Sequence, residues 1–93
     1  MEIIKFLGDK LSEKISISPP AARGLLKLSI KDELGPFTDL NKISYNDLCN
    51  ILTNSFKNRL INLEISNYEF IINYLLNELT LNQSLITMAG VYL

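Results

Sequence analysis

The chain has few side chains suited to chemistry. Its 93 residues include no His and a single Cys, Cys49. The usual general base at neutral pH and the commonest metal ligand are therefore missing. A thiol nucleophile at Cys49 would need a neighbouring base, and a lysine serves only when desolvated. Cys49 follows Leu48 on a stretch with helical periodicity, so it reads as a small buried hydrophobe. One thiol makes neither an intramolecular disulfide nor a paired-cysteine zinc site, and it suits a reducing, cytoplasmic setting. Pairs among Asp32, Glu33, Asp39 and Asp47 could hold Mg²⁺ or exchange protons. Here they fall at helix ends or on solvent faces, where capping and solvation account for them. Gly35-Pro36-Phe37 lacks the repeated glycines of a phosphate loop. The expectation is a protein that is not an enzyme, with no metal, no cofactor and no small-molecule substrate.

The elements that would position these residues are helical. Ile4, Leu7, Leu11 and Ile15 recur at spacings of a single helix face. Ser18 has the form of an N-cap, with Pro19 at the first helical position, where a missing N–H costs nothing. A second helix runs from there to about Leu34, with Ala22, Leu25, Leu26, Ile30 and Leu34 facing inward. Gly35-Pro36 ends it. Phe37 to Ile43 reads as a loop anchored by Leu40. Ser44-Tyr45-Asn46-Asp47 has the form of a capping box and starts a third helix that reaches about Asn62. Tyr45, Leu48, Leu52, Phe56 and Leu60 form its apolar face. Ser66-Asn67-Tyr68-Glu69 is a second box, with Ile65 and Phe70 placed as a hydrophobic staple. The fourth helix carries Tyr68, Ile71, Ile72, Leu75, Leu76 and Leu79. Residues 80–93 read either as a short fifth helix or as an extended interface tail. With no internal repeat or linker, residues 1–93 form one all-α domain, a compact bundle of four to five helices. No run is long and apolar enough for a transmembrane helix, and the start of the chain lacks the features of a signal peptide.

The N-terminal hairpin carries a further pattern. Leu11, Ser12, Ile15, Ser16, Ile17, Ala22 and Leu25 stand where a two-helix DNA-reading motif has its apolar and small residues. Residues 8–27 thus resemble the helix-turn-helix pattern of DNA-binding proteins, with Ser12 in place of the usual Ala and Ser16 in place of the usual Gly. The resemblance implies a second helix lying in the major groove, with Ser18, Arg23 and Lys27 as its hydrogen-bonding contacts. Charge argues the other way. The formal net charge is -1 and the pI about 5.3, whereas nucleic-acid footprints are usually strongly basic. A plain helical hairpin with a Ser-Pro cap accounts for the same residues.

The last third of the chain is unusually apolar. From Leu60 to Leu93 there are 20 apolar residues in 34, only three charges, and no Lys or Arg. One helical stripe per helix is what a small domain can bury. The excess predicts an interface on the fourth helix and the tail, made by Tyr68, Phe70, Tyr74, Ile86, Met88 and Tyr92. The leading expectation is a non-catalytic interaction or oligomerisation module, either a homodimer or bound to another protein. The alternative is a helix-turn-helix transcriptional regulator that dimerises through its C-terminal half.

Overall fold

The computed structural model describes residues 2–84 and is an all-α bundle. Its elements are α1 (Glu2–Ile15), α2 (Pro19–Leu34), a 3-10 turn (Leu40–Lys42), α3 (Tyr45–Thr53), α4 (Ser55–Asn62) and α5 (Tyr68–Leu81). No described helix is long and apolar enough to cross a membrane. Most of the tail, including Ile86, Met88 and Tyr92, lies outside the described residues.

Local signals set most of the helix ends. Ser18 Oγ accepts the Ala21 N–H at 3.2 Å, and Pro19 and Pro20 open α2. Gly35 closes α2 at φ +99°, a backbone setting that penalises a Cβ, while its N–H reaches the Lys31 carbonyl. At α3, Ser44 Oγ accepts the Asp47 N–H and Asp47 Oδ2 accepts the Ser44 N–H, both at 3.0 Å, so the capping box is complete.

Two boundaries differ from the sequence expectation. The third helix does not run unbroken to Asn62. It breaks at Asn54, whose φ of -117° and ψ of -85° are not helical. Thr53 Oγ1 donates back to the Cys49 and Asn50 carbonyls, drawing on acceptors that the helix itself uses. Thr53-Asn54-Ser55 is a run of residues that compete locally with the helical ladder. The Ser66 box does not form either. The N-cap of α5 is Asn67, with no side-chain cap bond, so Glu69 sits one position too early to reciprocate. The preceding turn decides this. The Ile65 N–H bonds the Leu60 carbonyl, the Glu64 N–H bonds the Ile61 carbonyl, and Glu64 has φ +60°. This is a Schellman ending, with Glu where glycine is favoured.

The core is continuous. Ile3, Ile4, Leu7 and Leu11 of α1 meet Leu26 and Ile30 of α2, Leu48, Ile51 and Leu52 of α3, Phe56 and Leu60 of α4, and Ile71, Leu75 and Leu79 of α5. Ile43, in the loop before α3, is buried as well, while the expected anchor Leu40 is only half-buried. On α2 the expected inward residue Leu34 is exposed, and Ser29 is buried in the helix's inner face, its hydroxyl bonded to the Leu25 carbonyl at 2.9 Å. Among the described residues no buried side-chain nitrogen or oxygen lacks a hydrogen-bond partner, as a stable core requires.

Candidate binding groove

The side chains weighed for chemistry are occupied in structural roles. Asp39 Oδ1 caps the 3-10 turn through the Asn41 N–H, and Asp47 completes the α3 cap. Glu33 Oε1 accepts the Ser55 hydroxyl at 2.6 Å. Asp32 accepts two bonds from Arg59, Nε to Oδ2 at 2.6 Å and Nη2 to Oδ1 at 3.0 Å. The Arg59 hydrogen bonds hold the Asp32 carboxyl below its ordinary range, and Asp32 raises the Arg59 guanidinium in return. A carboxyl lowered in the fold contributes above its unfolded value and loses that contribution as pH falls through the folded one. The pair is therefore intact at neutral pH and opens only in acid. Being exposed, it fixes geometry more than it stabilises. Cys49 is a half-buried free thiol. No three acids or cysteines gather in a metal-holding cluster among the described residues.

The predicted aromatic interface is partly covered from within. Tyr68 and Tyr74 are half-buried against the core. The Lys14 ammonium stands 4.5 Å from the centre of the Tyr74 ring and 5.9 Å from that of Phe70. The Lys57 ammonium stands 5.8 Å from the centre of the Tyr68 ring. Cations over ring faces interact favourably, and their stems shield the rings. Phe70 is 60% exposed and is the most open of the three described members of that set.

On the first hairpin, Arg23 Nη1 donates to Asp9 Oδ1 at 3.2 Å, and Arg23 packs on Gly8. Ser18 spends its hydroxyl on the α2 cap, while Lys27 is exposed. Arg23 and Lys27 border a cleft of about 290 Å³ with Glu2, Ile4 and Lys5. Contacts between α1 and α2 thus continue well beyond the turn, and the two helices lie side by side.

Another open apolar surface, among the described residues, is one that the periodicity did not mark. A groove of about 690 Å³ runs between α2 and α4. Ile17, Ala21, Gly24, Leu25 and Leu28 line one side and Leu63 the other, with Ser55, Asn58 and Asn62 as a neutral polar edge. The Asp32–Arg59 pair ties the two helices together at the groove. Leu28 is 45% exposed and Leu63 is 57% exposed. Gly24 is interior to α2, where glycine costs about 1 kcal/mol relative to alanine. A Cβ built there meets nothing within 4 Å, so nothing in the chain's own packing calls for glycine. Just beyond α2, Phe37 is 97% exposed.

The sequence did hold a signal for this surface. Gly24 and Leu28 are spaced by four on α2 and lie outside its inward set, which marks a second face. No family model, curated protein or solved structure matches the chain.

Proposed function

We propose that the chain is a non-catalytic protein-association module that works by burying apolar surface against another protein. One observation carries this reading. Of the seven exposed large hydrophobics among the described residues, Leu28, Leu34, Phe37, Ile61 and Leu63 lie on α2, the loop after it, and α4 and its cap. Phe70 and Leu81 lie on α5. Removing apolar area from water contributes about 25 cal/mol per Å² before association costs are subtracted. The neutral edge of the groove adds little desolvation penalty. The single cysteine suits a cytoplasmic setting.

A photo-crosslinking side chain replacing Leu63 and irradiated in the native cell is expected to give a discrete protein adduct. The same group at exposed Glu13 should give none. The Leu63 adduct should disappear when Leu28→Glu is added, with helicity unchanged. Absence of an adduct at Leu28, Leu63 and Phe70 alike would overturn the reading.

A second reading, DNA binding by the first hairpin, draws on one observation. Lys5, Lys27 and Lys31 meet neither a carboxylate nor an aromatic ring among the described residues. Neutralising phosphates would make such binding strongly salt-dependent. Under this reading, duplex DNA in an anisotropy titration binds at low salt and is released as salt rises, and Lys5→Glu with Lys27→Glu abolishes it. A flat titration at low ionic strength ends the reading.

A further inference from the structure

We infer that the α2/α4 groove is the seat of a second copy of this chain, entered by that copy's Phe37, and that the exchange is reciprocal about a two-fold axis. The inference rests on the association reading and gives it a partner. The chain carries both halves of such a contact. Phe37 is an aromatic side chain with almost no contact inside its own copy. It follows Gly35 and Pro36, and the Thr38 hydroxyl bonds the Gly35 carbonyl at 2.9 Å, so the turn holds its own shape. The groove, at about 690 Å³, has ample room for a phenyl ring, and its wall is bare backbone at Gly24. An open position at a helix-interior glycine allows a ring edge to approach the main chain closely.

The charges fit a like-with-like contact. Arg59 neutralises Asp32 beside the groove, and Ser55, Asn58 and Asn62 are uncharged. The groove lining itself therefore sets no unpaired charge against a second copy. With a knob and a hole on one chain, a two-fold arrangement satisfies both at once and closes the assembly.

Equilibrium sedimentation of the full chain tests this. The wild type is expected to approach twice the 10.6 kDa chain mass. Phe37→Ala removes an anchor with no role inside its own copy, so at concentrations where both are monomeric its melting should match the wild type, while dimerisation weakens about 30-fold or more. Gly24→Phe fills the hole from within and should also give a monomer. Each variant keeps the half that the other lacks, so an equal mixture of the two should regain a weaker heterodimer. A dimer indifferent to both substitutions, or a mixture that stays monomeric, overturns the inference and leaves the association reading standing. A wild type that remains monomeric near millimolar concentration also overturns it. In that case an adduct between Leu63 and a different protein would still uphold association, and no adduct at any position would remove both.

Discussion

Phe56→Ala is expected to be the most damaging single truncation in the chain, at about 3–5 kcal/mol. Phe56 is fully buried and is the second residue of α4, just after the break at Asn54. It belongs to the core that also holds Leu52 of α3, Leu60 of α4 and Ile71 and Leu75 of α5. Truncation at such a junction leaves a void bounded by separate helices, and each can relax only by moving its backbone. Domains of this size have total stabilities on the order of 5–15 kcal/mol, so the loss takes a large share. Urea denaturation should show a lower midpoint with little change in slope, and the melting temperature should fall by roughly 15–30 °C. Phe56→Leu keeps most of the volume and should cost less than about 1.5 kcal/mol. Equal losses for Ala and Leu would mean that ring shape, not filled volume, is what the site requires.

Phe56 also shows what the sequence discloses. Its spacing from Leu52 and Leu60 placed it on a core face, and it lies there even though the helix under it is broken. A break that leaves the apolar faces in line leaves no mark in the periodicity, because the period reports which side is greasy and not whether the ladder is continuous. Caps whose partners lie within three residues, at Ser18 and at Ser44 with Asp47, were legible for the same local reason. The Ser66 box failed because the ending of the preceding helix, a Schellman closure drawing Ile65 back onto Leu60, set the start of α5 one residue later.

The candidate surface was less legible. Counting apolar residues locates them along the chain, but exposure depends on which element covers them. Tyr74 is roofed by Lys14 from α1, sixty residues away in sequence, and no local pattern records that. Leu28 and Leu63 stay open on the groove between α2 and α4, where no other described element covers them. The composition argument placed the apolar excess in the last third of the chain, on the fourth helix and the tail, and part of that stretch lies outside the described residues. Among the described residues, most of the exposed large hydrophobics lie on α2, the loop after it, and α4 and its cap.

Gly8→Val is expected to force α1 away from α2 at a cost of roughly 2–3 kcal/mol. Gly8 and Gly24 are both interior to helices, yet their surroundings are opposite. A Cβ built on Gly8 lies 2.5 Å from Arg23 Cγ and 3.2 Å from both Arg23 Cα and the Arg23 backbone nitrogen. The Cγ atom can rotate aside if the Arg23–Asp9 pair is given up, but the backbone atoms can retreat only if the helix itself moves. Helix propensity runs the other way and favours replacing glycine, so a net loss at Gly8 is evidence of close packing. Gly24→Ala supplies the control. With nothing within 4 Å of its Cβ, it should stabilise α2 by up to about 1 kcal/mol. Arg23→Ala should recover part of the Gly8→Val loss and no more, because the backbone contacts persist, and a double-mutant cycle measures that share. Melting curves, taken where the chain is monomeric, in which Gly8→Val shifts upward together with Gly24→Ala would show that α1 and α2 do not approach at Gly8. The side-by-side hairpin would then give way to a more open crossing, the geometry that a groove-reading second helix requires.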